Sequence, residues 1–412
     1  MTSRRSLDPR ALFHPRPLLV AAALCGLMAG AARAEDTTVK LGVLNDMSGV
    51  YADISGPGSV VAAQMAAQDF MAKNKGFKVE VVGADHQNKP DVGSSIARKW
   101  YDQDGVDAIM DVTTSSVALA VNDVTREKNK IFLVSGGGTS DLTGAKCSPN
   151  TVHWTYDTWA LANGTGSAIT KQGGSPWFFI TADYAFGAAL ERDAAAAVKA
   201  AGGKVAGSVK HPLSATDFSS FLVQAQSSGA KVIGLANAGG DLINAIKQAS
   251  EFGITQGGQS LAGLLIFSSD VKAMGLTAAQ GLLLTEAFYW DLNDDTRAFS
   301  KRFAEKFGGK MPTSAQAGVY SSALHYLNAI KDAKTKDAPK VMEQMRATPI
   351  DDPLFGKGEV RIDGRATHPM YLFKVKKPAD SKGPWDLYEV VATIPAADAF
   401  RPLKDGGCPL VK

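Results

Sequence analysis

The residues best suited to chemistry are hydroxyl residues at the end of an apolar run. Four stand together at Thr113–Ser116, between the run AIMDV and the helix-like stretch VALAVNDVTREK. A helix begins with unpaired backbone N–H groups and a positive dipole. A carboxylate could accept hydrogen bonds there from those N–H groups and from serine hydroxyls, without a lysine or arginine. A single capping serine is the simpler interpretation, but it accounts for one of the four hydroxyl residues.

A glycine-rich loop, SGGGTSDLT, follows the next apolar run and ends at Thr143. Its three consecutive glycines leave backbone open to a ligand, and Thr139 adds a hydroxyl. A flexible turn with a helix cap explains the loop equally well on its own. Ligands of open α/β sheets bind beyond the carboxyl ends of the strands, so we expect this loop beside the hydroxyl run.

Three further loops occupy equivalent places after apolar runs. Tyr184 in TADYAFG offers a ring face and a hydroxyl, although a tyrosine there is often only half-buried packing. Asn237 and Ala238 follow another run, in LANAGGD, and Asp53 lies in NDMSGVYADISGPG. The acidic residues of that last loop are equally explained as helix-start signals.

Enzymatic motifs are not found in the sequence. The glycine loop fits neither the dinucleotide fingerprint nor the P-loop, and no serine sits in G-x-S-x-G. The histidines after the leader are scattered singly, which gives no metal site and no evident general base. A triad assembled from distant residues stays possible, so an exported hydrolase remains a minor alternative.

The elements that must position these loops alternate between strand and helix. From Val39 the chain reads strand, helix GPGSVVAAQMAAQDFMAKN, strand FKVEVVGAD, helix Asp91–Gln103, strand GVDAIMDV, helix Val117–Lys128 and strand KIFLVSGGG. The same order restarts at Pro176 and runs through the helix DLINAIKQASEFG. Such alternation predicts parallel sheets covered by helices, here in two similar lobes. Strands at LLIFSSDV and GLLLTEAFYWD, two helices and terminal hairpins complete the chain.

The first 34 residues are predicted to be a cleaved secretory signal. A leader with several arginines precedes the apolar stretch Leu18–Gly30, which is too short for a permanent membrane span, and Ala32-Arg33-Ala34 suits a signal peptidase. Its removal takes five of the 44 basic and one of the 41 acidic residues, leaving 39 against 40, so nothing favours nucleic acid.

Two cysteines, Cys147 and Cys408, remain after the leader. In an oxidising compartment an even pair indicates one disulfide, with two buried free thiols as the alternative.

Aromatic residues cluster where the chain is expected to cross between the lobes. Trp159 follows Trp154 and Tyr156, and Phe288 begins the run Phe288–Trp290. Such clusters usually pack an interface, but Trp159 and Phe288 are also candidate ligand contacts.

Several motifs, in this order, give the chain a family resemblance. VKLGVLNDMSGVYADISGPGSVVAAQMAAQDF, DVTTSSVALAV, VSGGGTSDLTG, HWTYDTWALANGTG and ADYAFGAAL resemble periplasmic solute-binding proteins of the branched-chain amino-acid type. The resemblance implies two Rossmann-like lobes with parallel sheets, joined by three crossings and closing on one small ligand. It implies lobe 1 at residues 35–155 and 286–364 and lobe 2 at residues 156–285 and 365–412.

The resemblance also implies site residues. By position, the carboxylate pocket of the family falls on Ser116, beside Ser115, and on Gly137 and Thr139, while the cleft tyrosine falls on Tyr184. Where amino-acid binders hold the ammonium group with a carboxylate, this chain has Ser268 or Ser269, with Asp270 as a substitute if the register slips by one.

A carboxylate pocket without an ammonium partner indicates an aromatic acid, benzoate-like or cinnamate-like, as the ligand. Aliphatic amino acids are the alternative, followed by urea and short amides. The resemblance further implies a periplasmic monomer that delivers its ligand to an ABC permease in the inner membrane. It implies no enzyme activity, cofactor, metal, nucleic acid or stable membrane insertion.

Overall fold

A computed structural model describes residues 37–412, and the predicted signal peptide lies outside the described residues. Lobe 1 is built on a five-stranded parallel sheet of order β2-β1-β3-β4-β5. Its strands are β1 (Thr37–Asn45), β2 (Phe77–Asp85), β3 (Ala108–Asp111), β4 (Ile131–Val134) and β5 (Thr151–His153). Its first helices are α1 (Gly56–Lys73), α2 (Pro90–Asp102) and α3 (Ser115–Glu127), followed by a 3-10 turn at Ser140–Thr143.

Lobe 2 repeats this architecture with a four-stranded parallel sheet of order β7-β6-β8-β9. A segment formed by α4 (Thr158–Leu161), a π-helical turn (Ala162–Gly166) and α5 (Ser167–Lys171) leads into it. The strands are β6 (Trp177–Ala182), β7 (Val205–His211), β8 (Val232–Ala236) and β9 (Ser260–Gly263). The helices are α6 (Ala185–Ala200), α7 (Ser219–Ser227), α8 (Gly239–Glu251), α9 (Ser268–Met274) and α10 (Leu276–Ala279).

The rest of the chain serves both lobes. It comprises β10 (Leu283–Glu286), α11 (Asp294–Lys306), α12 (Ser314–Ala333), α13 (Ala338–Ala347), β11 (Ile350–Asp352), β12 (Gly356–Gly358), β13 (Met370–Val375), β14 (Tyr388–Ile394) and α14 (Ala396–Ala399), with 3-10 turns at Pro378–Asp380 and Leu403–Gly406. Helix α12 packs on α1 of lobe 1. Strands β10, β13 and β14 form an antiparallel sheet whose Leu284 and Phe373 join the lobe 2 core.

The buried apolar runs form the central strands, as the sequence predicts. All four residues of β3 and of β4 are buried, which suits parallel strands covered on both faces. The predicted strand at LLIFSSDV is wrong. Strand β9 covers Ser260–Gly263, residues Leu264–Phe267 form a buried loop, and α9 begins at Ser268. A short apolar run does not by itself distinguish a strand from a buried loop.

The chain crosses between the lobes three times, and a buried arginine holds two crossings together. The first crossing follows β5, the second follows β10 and the third precedes β13. Arg365, fully buried in the third, donates to the carbonyl oxygens of Thr155 and Tyr156 in the first and to the carboxylate of Asp157. Burial lowers the pKa of Arg365 to about 10, and the Asp157 carboxylate opposes that shift. The first and third crossings therefore form one hydrogen-bonded unit.

The C-terminal tail returns to lobe 1. Cys408 forms a disulfide with Cys147, with a Cα–Cα distance of 5.6 Å, as the cysteine count predicts. Arg401 donates to the carbonyl oxygen of Ser140 at 2.9 Å. The tail therefore contacts the 3-10 turn after the glycine loop.

Candidate functional site

The two lobes enclose a small cavity at the carboxyl ends of their parallel strands, called here the interlobe cavity. Its free volume is about 10 Å³, which is roughly the space of one water molecule. Its walls are Tyr51, Ile54, Thr113 and Gly136 of lobe 1, Tyr156 of the first crossing, and Tyr184, Phe186, Ala238 and Leu265 of lobe 2. None of these nine residues is ionic at neutral pH, and four are aromatic. The composition of the wall therefore suits a largely apolar ligand, for which the lobes have to move apart.

A buried acid lies directly behind the lobe 1 wall. The carboxylate of Asp111 accepts hydrogen bonds from Asn45 Nδ2 at 2.7 Å and from Ser59 Oγ at 2.5 Å. Burial raises the pKa of Asp111 to about 6, while these hydrogen bonds and one from the Gly136 backbone lower it. A Cβ on Gly136 would lie 2.6 Å from Asp111 Oδ1 and 2.8 Å from Ser55 Oγ. Glycine is therefore required at this point of the wall.

Two residues with positive φ set the direction of the chain between β3 and α3. Asp111 has φ +76° and Val112 has φ +55°, a region that residues other than glycine adopt at a cost. The hydrogen bonds to the Asp111 carboxylate anchor this turn. As a result Thr113, which precedes the helix, lines the interlobe cavity.

The mouth of the interlobe cavity is closed by contacts across the lobes. Tyr51 Oη lies 2.6 Å from Tyr184 Oη, and the Gly240 N–H donates to the Val50 carbonyl oxygen at 3.1 Å. Gly239, at φ +56°, allows this approach, because a Cβ there would lie 2.4 Å from the Val50 oxygen. Burial holds the pKa of Tyr51 and of Tyr184 well above the usual range, so both phenols stay protonated.

The predicted carboxylate contacts occupy different places around the glycine loop. Ser115 is buried, and its hydroxyl oxygen accepts from the Thr139 N–H at 3.1 Å. Thr139 in turn caps the 3-10 turn by accepting from the Asp141 N–H. Ser116 is half-buried on the first turn of α3, outside the cavity wall.

Gly137 also lies outside the cavity wall, because a Cβ there would meet the Val112 carbonyl oxygen at 2.8 Å, with Ala118 and Val134 beyond. The residues of this region that reach the wall are Thr113 and Gly136.

Some of the predicted contacts of lobe 2 also line the cavity, and others lie outside its wall. Tyr184 and Ala238 line the interlobe cavity. Asn237 is buried, with Nδ2 lying 3.1 Å from His211 Nε2, away from the wall. Ser268 begins α9 and is buried, while Leu265 of the preceding loop reaches the wall.

The remaining predicted contacts lie outside the wall. Asp53 pairs with Lys310 at 2.9 Å on the exposed rim. Phe288 packs against Phe299 and Phe355 in the core of lobe 1, and Trp159 is half-buried on α4.

The cavity wall contains no carboxylate that could pair with the ammonium group of an amino acid. Asp270, the substitute considered from the sequence, accepts from the Phe267 N–H at 2.9 Å and caps its own helix. Burial raises its pKa to about 7. Asp270 is therefore used inside lobe 2.

Asp241 accepts from the Ser214 N–H at 3.1 Å, and burial raises its pKa to about 6. Asp241 Oδ1 is buried without a hydrogen-bond partner among residues 37–412. Besides burial, the Asp241 charge raises the pKa of the nearby Tyr51 and Tyr184.

Sequence reasoning missed Ile54, Phe186 and Leu265, which carry no chemical signal of their own, and it interpreted Tyr156 as interface packing. Gly136 belongs to the glycine loop that the sequence singled out. Tyr51 belongs to the candidate loop NDMSGVYADISGPG. The position of the Thr113 side chain, in contrast, depends on the positive φ values of the two residues before it.

Other features of the described residues add no catalytic or metal site. A larger open depression of about 580 Å³ is lined by residues such as Ser260 and Leu282, at the amino ends of β9 and β10. Residues 37–412 contain no group of three side chains suited to a metal ion. Within the same range, every helix is too short or too polar to cross a membrane.

Comparison with known proteins finds related sequences and structures. The family model described as "Periplasmic binding protein" matches residues 38–383. A crystal structure of a periplasmic binding protein from Burkholderia mallei is 53% identical, with a TM-score of 0.89, covering 91% of this chain and 99% of that chain. Comparison with curated protein sequences gives no match.

Two further structures carry names that describe a ligand. A branched-chain amino acid ABC transporter periplasmic ligand-binding protein from Burkholderia xenovorans is 42% identical, with a TM-score of 0.81, covering 91% of this chain and 100% of that chain. An ABC transporter solute-binding protein from R. palustris, in complex with benzoate, is 21% identical, with a TM-score of 0.77, covering 87% and 97%. The second likeness concerns the fold alone.

Proposed function

This chain belongs to the periplasmic binding protein family, and we propose that it captures a small carboxylate for an ABC importer. The lobes close on the ligand by a hinge motion at the three crossings. The preferred ligand is an aromatic acid of the benzoate or cinnamate type.

The observation that carries the proposal is the composition of the interlobe cavity. Its wall combines Tyr51, Tyr156, Tyr184 and Phe186 with aliphatic side chains, and none of its residues is ionic at neutral pH. A ring stacks well against such a wall. An amino acid would instead bury its ammonium group against a wall that contains no carboxylate, which costs free energy. Both facts favour an aromatic acid.

Aliphatic amino acids are the second candidate. They are supported by the 42% identical relative, whose name describes a branched-chain amino acid ABC transporter. The preferred ligand, an aromatic acid, resembles the benzoate bound by the R. palustris protein, although that protein is only 21% identical. The two candidates differ in one respect that an experiment can resolve, namely the need for an ammonium partner.

The proposed contacts are the residues of the cavity wall. Tyr184 and Ala238 face the ligand from lobe 2, and Thr113 and Gly136 face it from lobe 1. Ser115 does not line the cavity. It positions the glycine loop, because its hydroxyl oxygen accepts a hydrogen bond from the Thr139 N–H. We propose no role in turnover for any of them.

The proposed setting is the periplasm, after removal of a signal peptide at residues 1–34. The protein is proposed to act there as a monomer and to deliver its ligand to a permease in the inner membrane.

A thermal-shift panel on protein unfolded and refolded to remove carried-over ligand tests the proposal. A ligand at 100 times its Kd stabilises by about 2.7 kcal/mol, which is readily measured. We expect aromatic acids to raise the melting temperature and to be recovered unchanged. A strong shift with leucine or valine and none with aromatic acids would overturn the preferred ligand, and conversion of the acid into product would indicate an enzyme.

A further inference from the structure

The hydroxyl groups of the interlobe cavity differ in whether their hydrogen is already engaged. Four line the wall, those of Tyr51, Thr113, Tyr156 and Tyr184. A hydroxyl group has one hydrogen to donate and two lone pairs that accept. A hydroxyl whose hydrogen is bonded elsewhere can therefore only accept a hydrogen bond from a ligand.

The hydrogen of the Thr113 hydroxyl is engaged by Asn45. The Thr113 backbone N–H lies 3.2 Å from Asn45 Oδ1 and has to donate, which identifies that amide atom as the oxygen. Asn45 Nδ2 accordingly donates to the Asp111 carboxylate at 2.7 Å. Thr113 Oγ1 lies 2.9 Å from the same Oδ1, so it also has to donate. Toward the cavity this hydroxyl offers only lone pairs.

The hydrogen of the Tyr156 hydroxyl is engaged in the same way. Tyr156 Oη lies 2.6 Å from the Gly136 carbonyl oxygen, which can only accept. The Gly136 backbone also hydrogen-bonds to the Asp111 carboxylate, so its N–H is engaged as well. At this end of the cavity, Thr113, Gly136 and Tyr156 thus all direct their hydrogens into the protein.

One hydroxyl hydrogen remains, and it belongs to the tyrosine pair. Tyr51 Oη and Tyr184 Oη are 2.6 Å apart, so one phenol donates to the other and the pair keeps one hydrogen. That hydrogen is the hydroxyl donor that the wall offers to a carboxylate. The wall therefore accepts at Thr113 and Tyr156, called here the accepting end, and donates at the tyrosine pair.

From this polarity we infer that the ligand carries, besides its carboxylate, an N–H or O–H donor that binds Thr113 Oγ1 and Tyr156 Oη. The inference rests on the proposed function and narrows it. Within aromatic acids it selects ring-hydroxylated members over benzoate, and within aliphatic acids it selects those with an amino group. An acid without such a donor leaves the two lone-pair sites buried and unpaired.

Matched pairs of ligands test the inference by calorimetric titration of refolded protein. The pairs are 3-hydroxybenzoate with 3-methylbenzoate, 4-hydroxybenzoate with 4-methylbenzoate, and leucine with 4-methylpentanoate. Each pair keeps the carboxylate and approximate shape while removing the donor. We expect the donor-bearing member of at least one pair to bind about tenfold or more tightly, as one well-placed hydrogen bond gives.

Two variants test whether the accepting end causes the preference for ligands that carry the donor. Thr113→Val keeps the side-chain shape and the backbone N–H bond to Asn45, and Tyr156→Phe removes only the phenol oxygen. Either change should reduce the preference within the discriminating pair from about tenfold to about twofold or less. Tyr101→Phe is the matched control, because Tyr101 is buried in lobe 1 and donates to the Ile131 carbonyl oxygen at 3.1 Å away from the cavity. It should keep the full preference.

The outcomes separate the inference from the function. If acids with and without the donor bind equally well, the inference is overturned while the carboxylate receptor stands. If the preference persists in both Thr113→Val and Tyr156→Phe, the accepting end is assigned to the wrong residues and the inference also fails. If none of the acids binds, the proposed carboxylate function is overturned and the inference with it.

Discussion

Asn45, Asp111 and Gly136 determine the shape and polarity of the lobe 1 wall. Asn45 and Asp111 lie behind the wall and Gly136 is part of it; Asn45 orients Thr113, and Gly136 leaves room for the Asp111 carboxylate. The sequence places a polar site here, because the hydroxyl run and the glycine loop follow adjacent strands. It does not reveal which hydroxyl faces the ligand, because that depends on the positive φ values of Asp111 and Val112.

Gly136→Ala should destabilise the protein by about 1–3 kcal/mol, since the added methyl group overpacks a buried site. Its Cβ would lie 2.6 Å from Asp111 Oδ1. Gly166→Ala is the matched control, because a Cβ there meets nothing within 4 Å and alanine is the better helix former. Urea unfolding measures both. Equal stability of Gly136→Ala and the wild type would contradict the close packing of glycine against the acid.

Asp270 should make stability depend on pH. Burial raises its pKa to about 7 in the folded state, above about 3.9 in an unfolded chain. The folded protein therefore binds more protons than the unfolded chain between about pH 4 and pH 7, and this contribution to stability is lost as the pH rises through that window. Asp270→Asn keeps an acceptor for the Phe267 N–H and removes the charge.

We expect the stability of Asp270→Asn, relative to the wild type, to increase as the pH rises from 4.5 to 7.5. Urea unfolding at several pH values measures this difference. Asp217→Asn is the control, because Ser219 lowers the pKa of that exposed carboxyl, so the pH dependence of its effect on stability falls below this pH range and the difference should stay flat. A pH-independent difference for Asp270→Asn would show that Asp270 is not buried as described.

The elements of the fold follow the sequence closely in most places. Helices α2 and α3 begin within two residues of their predicted starts, because Pro90 and the hydroxyl run mark them. Strand β9 is the exception, since the more apolar Leu264–Phe267 lies beyond the end of its pairing with β8. Which residues form a strand depends on the neighbouring strands with which they pair. A local sequence pattern carries no information about those neighbours.

The disulfide and Arg401 fix the tail against the segment that follows the glycine loop. Cys147 and Cys408 are 261 residues apart in sequence, so the bond restricts most of the unfolded chain. Replacing both with serine should lower the free energy of unfolding by about 2–4 kcal/mol. Urea unfolding should show the same loss in wild-type protein treated with reductant. No loss in either case would mean that the bond contributes nothing to stability.

The whole molecule brings together groups that lie far apart in the sequence. Tyr51 and Tyr184 meet across the cavity mouth, and Ser140 Oγ donates to Asp193 across the lobes at 2.7 Å. The two-lobed plan could be predicted from the repeated strand and helix order and from the family resemblance. The cavity wall could not, because it forms only where residues of both lobes and the first crossing converge.

The most direct test of the receptor is calorimetric titration of refolded protein with aromatic acids and leucine, in the wild type and in Ala238→Trp. The bulky side chain at Ala238 would fill the interlobe cavity. We predict one-to-one binding of at least one aromatic acid to the wild type and loss of that binding in the correctly folded variant. Binding that survives in Ala238→Trp, or no binding of any acid to the wild type, would contradict a carboxylate receptor built on this cavity.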